Sequence, residues 1–200
     1  MCAILAGLGL SLTEGLLSGP LGQWDEWVND WFLNRRTQSV SAVAHVGSTI
    51  GGTGWIIAVA AVVVIAFLSF GWRRGAGLLI VALTVEVSVF LLTTLIVSRE
   101  RPTVPQLEAS PPTSSFPSGH TAAAIALYFG LALALTPHLR SRWSRVIVWL
   151  VAVAIPLLVA VSRIYAGMHH VTDVVGSLVL GAGALVTATI AVRPPDEQVR

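Results

Sequence analysis

Apolar positions along the chain gather into long runs, at residues 3–17, 53–70, 76–97, 120–136, 146–161 and 174–192. A membrane-crossing helix needs about 20 such residues; five runs approach that length, and the run at 3–17 is short for it. Pro156 is expected to kink the fifth. Between the first two runs the pattern changes. Trp24, Trp27, Val28, Trp31 and Phe32 fall at i, i+3, i+4, i+7 and i+8, one face of a helix, while Asp25, Glu26, Asn29 and Asp30 take the other side. Three Trp on one face predict a helix lying in the membrane interface; packing of that face on the bundle is the alternative. The stretch SAVAHVGSTIGG, residues 41–52, predicts a further short helix ending at glycine. The expected fold is all-α: a polytopic membrane bundle of about six transmembrane helices plus a short interfacial helix, forming one domain over residues 1–200.

Composition agrees. Hydrophobic residues make up 54% of the chain and charged residues 11%, against about 25% charged in a soluble domain. Mean hydropathy is +0.79. Such a chain cannot clothe itself in polar surface, which excludes a water-soluble globule. The single cysteine, Cys2, excludes an internal disulfide and a zinc-type spacing. The N-terminus has no basic region ahead of its apolar run, so that run is expected to remain as a helix.

Every basic residue is Arg, and their distribution orients the bundle. Arg73 and Arg74 lie in one short loop, Arg140, Arg142 and Arg145 in another, and Arg193 and Arg200 in the tail. Loops rich in Arg stay in the cytoplasm. The loops 98–117 and 162–173 then face outward.

Those outward loops hold the polar chemistry. The first opens with Arg99 and Arg101 and closes with Pro117, Ser118, Gly119 and His120. The second carries Arg163, His169, His170 and Asp173. His169 and Asp173 are spaced i, i+4, so on a helix they share a face, and the carboxylate would fix the imidazole's tautomer. Ser118 is the expected N-cap of the helix starting at His120, where free N–H groups suit an anion. Arg101 and Arg163 supply planar forks matched to phosphate oxygens. Taken singly, each residue has a plainer structural role, as anchor, cap or surface pair; together, on one side of the membrane, they point at a tetrahedral oxyanion. Glu86 sits inside the third run, where a carboxyl is costly and a functional candidate, with a structural pairing as the alternative. His170 points away from His169 on a helix and is read as a neighbour.

Arg-Pro at 101–102, Pro-Ser-Gly-His at 117–120 and SRIYAGMHHVTD at 162–173 together resemble the three-part signature of the type 2 phosphatidic acid phosphatase superfamily. The resemblance implies a metal-free, cofactor-free phosphatase of the bacterial plasma membrane. Its substrate would be a lipid phosphate or diphosphate in the bilayer, and no nucleic acid is expected as a partner. His169 would be the nucleophile, His120 the proton donor and then the base, and Asp173 the group orienting His169. Arg101, Arg163, Ser118 and the Gly119 amide would hold the phosphoryl oxygens. Undecaprenyl diphosphate, phosphatidate and phosphatidylglycerophosphate all fit, and an outward site leans toward the first. One part departs from the signature: its Lys would fall at position 94, which is Thr94 here; Arg99 is the expected substitute, and the alternative is that this phosphate contact is left unmade. The competing readings are a vanadium haloperoxidase, disfavoured by the apolar runs and the missing Lys, and a non-catalytic lipid-phosphate binder or transporter, which has no need of an oriented imidazole pair.

Overall fold

A computed structural model of the chain describes residues 1–16, 19–110 and 112–193; Leu17 and Arg200 lie outside them. The N-terminal apolar run forms α1 (Cys2–Leu10), prolonged by one π-helical stretch (Ser11–Leu16). This element is too short to cross a bilayer. It tucks Leu5 against Val97 and Phe116 instead. Among the described residues, the apolar run at 3–17 is seen as this short helical element. Gly9 permits the close approach, since a Cβ there would stand 2.7 Å from the Val97 side chain.

Next comes α2 (Pro20–Leu33), opened by Pro20 at its first turn, where proline's missing N–H is harmless. Its faces are sorted as the periodicity implies: Trp24, Trp27 and Trp31 are exposed, while Asp25 and Asn29 are buried. Asp25 and Asn29 therefore look into the protein, while the indoles and Asp30 look out.

Thr37 caps α3 (Gln38–Gly51) by accepting from the Val40 N–H. Gly52 separates it from α4 (Thr53–Ser69), and the two are bent by 52°. A turn through Gly71, at φ +75°, leads into α5 (Arg73–Ile96). After a long connection come α6 (Gly119–Leu135), α7 (Arg142–Tyr165) and α8 (Val171–Ala191). The helix α7 runs through Pro156 without a break. Among the described residues four helices, α5 to α8, are long and apolar enough to cross a membrane, and α3 with α4 makes a fifth if counted as one bent crossing. With the short apolar helix α1 beside them, this is roughly compatible with the expected bundle of about six.

Buried positions encircle α6, from Thr121 through Ala126, Leu127 and Gly130 to Ala134, as a helix apolar all round requires at the centre of a bundle. It packs on α5, α7 and α8. The Arg-rich turns gather at one end, where Trp72 stacks on His138 at 3.7 Å. The starts of α6 and α8 and the ends of α5 and α7 meet at the opposite end.

Candidate functional site

At that second end three pieces of chain converge: the 97–118 connection, the start of α6, and the turn from α7 to α8. The turn depends on Gly167, at φ +71°, which ends α7 in the left-handed conformation that glycine adopts freely. Its N–H bonds the Ile164 carbonyl and the Met168 N–H bonds that of Arg163. The chain reverses there, so His169 lies ahead of α8 and not on it, with His170 as the N-cap.

This changes how His169 is oriented. The i, i+4 relation to Asp173 is not a shared helical face, and His169 Nδ1 stands 3.6 Å from Asp173 Oδ2, too far for a hydrogen bond. Nδ1 instead sits 2.8 Å from the Ser115 carbonyl oxygen. A carbonyl only accepts, so Nδ1 carries the proton and Nε2 keeps its lone pair. Burial, with help from the Arg163 and Arg101 charges, holds the His169 imidazole below its ordinary pKa despite the opposing pull of Asp173. It is neutral near pH 7.

Asp173 is the hub beneath. It accepts from the His170 N–H at 2.8 Å, from the Ser115 hydroxyl and from Arg99. The Arg99 guanidinium also pairs with Asp25 of α2 at 2.9 Å and donates to Thr172 at 2.7 Å, and Asp25 accepts in turn from the Thr172 N–H and hydroxyl. Sequence spacing does not register Asp25, Thr172 or Ser115 as parts of this network. The one hint was an acid on the inward face of an amphipathic helix. Two buried carboxylates and one guanidinium thus hold α2, α8 and the 97–118 connection together. Arg99 is spent on this network and does not line the cavity described next. Thr94 does not line it either; its hydroxyl donates to the Leu91 carbonyl at 2.9 Å.

The structure does bring Arg101, Arg163, His120, His169 and Gly119 to the wall of one cavity, of about 880 Å³. Arg101 is braced by the Met168 carbonyl at 2.7 Å. Arg163 donates to Ser48 at 3.2 Å and pairs with Glu108 at 2.5 Å. Glu108 was not singled out by the sequence. Burial pushes its carboxyl up, but the Arg163 charge and hydrogen bond carry it below its ordinary value. The His120 imidazole makes no hydrogen bond to the described residues and lines the cavity. Ser118 is the N-cap of α6, as expected, but its hydroxyl is buried and accepts from Thr121 at 3.1 Å. His170 reaches Glu26 of α2 at 3.0 Å and is a neighbour of the cavity, not part of its wall.

Residues 75–195 match the PAP2 superfamily. The chain belongs to that superfamily. A stretch of 69 residues is 44% identical to phosphatidylglycerophosphatase B of Bacillus subtilis strain 168; it covers 34% of this chain and 34% of that relative. The match therefore spans about a third of the relative's length. The crystal structure of a transmembrane PAP2-type phosphatidylglycerolphosphate phosphatase from Bacillus subtilis superposes with a TM-score of 0.82 at 22% identity, over 99% of this chain and 94% of that one. Aquifex aeolicus LpxE gives 0.64 at 22% identity, over 84% and 95%. At those identities the likeness is one of fold. It places this PAP2 chain among multi-pass helical membrane proteins, with its two histidines and two arginines at one end of the bundle.

Proposed function

We propose that this PAP2 protein hydrolyses a lipid phosphate or lipid diphosphate at the outer face of a bacterial plasma membrane, through a phosphohistidine. One observation carries the reading: the cavity joins a cationic end, with Arg101, Arg163 and both histidines, to an apolar cleft between α4 and α5 lined by Ile57, Ala60, Val64, Leu83 and Val87. That is the shape of an amphiphile with a charged headgroup.

Each residue then has a role. Arg101 and Arg163 hold the nonbridging phosphoryl oxygens, and the Gly119 N–H, free at the start of α6, adds a third donor. The substrate phosphate displaces Glu108 from Arg163. His169 Nε2 attacks phosphorus. The bond to the bridging oxygen breaks, and His120 gives that oxygen its proton. His120, now neutral, takes a proton from water, whose oxygen attacks the phosphohistidine and releases inorganic phosphate. Ser115 and Asp173 keep Nδ1 protonated and the ring in place. Asp173 acts here through the Ser115 hydroxyl and Arg99, a longer path than direct contact. Ser118 supports the α6 start through its backbone, and Arg99 acts as a positioning residue.

Among substrates, the name of the Bacillus relative favours a phosphatidylglycerophosphate-like monoester, and the outward site still suits a prenyl diphosphate. The test is phosphate release from short-chain phosphatidate, phosphatidylglycerophosphate and a prenyl diphosphate in detergent with excess EDTA. Turnover is expected to persist in EDTA and to vanish in His169→Ala while the variant stays folded. Activity that requires added metal, or that survives in His169→Ala, overturns the mechanism.

A further inference from the structure

The cavity wall contains one acid that the phosphoryl chemistry does not use. Glu86, on α5, is 5% exposed, lines the apolar cleft, and has no hydrogen bond or ion pair with any described residue. An unpartnered carboxyl in a membrane-spanning helix is destabilising unless something meets it, and here it faces the space that the lipid would fill.

Its depth identifies what it would meet. Gly119, the first residue of α6, is packed against Phe90: a Cβ on Gly119 would lie 2.9 Å from that ring. Phe90 is therefore level with the phosphate end of the cavity. Glu86 lies one helical turn back toward the start of α5, about 6 Å deeper in the cleft. A phosphate held between Arg101, Arg163 and the histidines places the first few atoms beyond the bridging oxygen at that depth. In a glycerolipid or sphingoid phosphate those atoms carry ester or hydroxyl oxygens. In an alkyl or prenyl phosphate they are hydrocarbon.

We propose that Glu86 is a specificity-determining residue that hydrogen-bonds the oxygen-bearing backbone of a glycerolipid or sphingoid phosphate. The proposal rests on the lipid-phosphate reading above and narrows it. A neutral carboxyl donates to an ester carbonyl, and in either protonation state it accepts from a hydroxyl. The flanking wall residues Leu83, Val87 and Phe90 offer no polar atom that could substitute for it.

The experiment compares dioctanoyl phosphatidate with decyl phosphate, which lacks backbone oxygens, measuring both affinity (by ligand-induced thermal shift) and phosphate release in detergent. Glu86→Leu is expected to weaken dioctanoyl phosphatidate by about three- to tenfold, with decyl phosphate unchanged. Glu86→Gln, which keeps a donor and the shape, is expected to stay near wild type on both. Equal weakening of both lipids, no weakening of either, a Gln variant as weak as the Leu variant, or no phosphatidate binding by the wild type overturns the proposal. Turnover separates it from the reading beneath. A wild type that binds but hydrolyses neither lipid sinks the phosphatase, while the affinity ratio still decides Glu86. A wild type that hydrolyses both, with an unchanged ratio in Glu86→Leu, sinks only Glu86.

Discussion

Arg99 and Arg101 are two residues apart, and the structure separates their work. Arg99 is fully buried between Asp25 and Asp173; Arg101 lines the cavity. Removing one member of a buried charge network leaves the others uncompensated, at about 3–5 kcal/mol. Arg99→Ala is thus expected to lower unfolding stability by about that amount, with lost activity following the fold. Arg101→Ala is expected to unfold as wild type does and to lose about 10- to 150-fold in kcat/KM, the worth of a charge-assisted phosphate contact. Denaturant unfolding beside kinetics distinguishes them; equal stability of the two variants would contradict the assignment. A pH prediction follows from His169. Burial and the nearby guanidiniums hold its pKa below the ordinary value, so the neutral imidazole, the form that the proposed attack requires, persists below pH 6.5 and is lost only as pH falls through the depressed value. Taking away the Arg101 charge raises that pKa. On one substrate, the acid limb of kcat/KM is expected to move to higher pH in Arg101→Ala; an unmoved or lowered limb counts against neutral His169 as the group that titrates.

Among the elements, the contact of α8 with the 97–118 connection positions the His169 imidazole for the proposed attack. The Phe116 ring is fully buried against Gly176, and a Cβ on Gly176 would overlap it. Phe116 adjoins Ser115, whose carbonyl holds His169. Gly176→Ala forces the ring and its neighbour to shift, an overpacking strain of about 1–3 kcal/mol. The expected result is a fall in kcat with little change in KM, because Arg101 and Arg163 are anchored elsewhere. A rise in KM at unchanged kcat would show that the shift reaches the phosphate pocket instead. The helix α2 makes the complementary point: its exposed Trp24, Trp27 and Trp31 face away from the protein, while Asp25 and Glu26 reach Arg99 and His170. An interfacial helix here also supplies one wall of the buried network.

For the molecule in its membrane, the Arg-rich turns at one end and the histidine cavity at the other make topology the decisive test. A reporter fused within residues 139–145 is expected to read as cytoplasmic and one beside Glu108 as external. The reverse pattern would place the cavity in the cytoplasm and overturn the outward orientation.

Hydrophobic runs and their Gly and Pro boundaries were enough to place α4 to α8 within a few residues, because a helix in lipid must satisfy its own backbone and be apolar outside. The spacing of His120, His169, Arg101 and Arg163 pointed to one anion-binding end, since those side chains share few other uses at a membrane boundary. Three things were decided only by the packed chain. His169 turns to the Ser115 carbonyl because Gly167 reverses the backbone before α8 begins. Arg99 leaves the cavity because Asp25, 74 residues away, offers it a buried carboxylate. Glu86 faces the cleft because α4 and α5 together wall an apolar space beside it. The first two depend on groups that sequence distance separates and that only tertiary folding brings within hydrogen-bonding reach, where burial makes an unpaired charge costly enough to choose its partner.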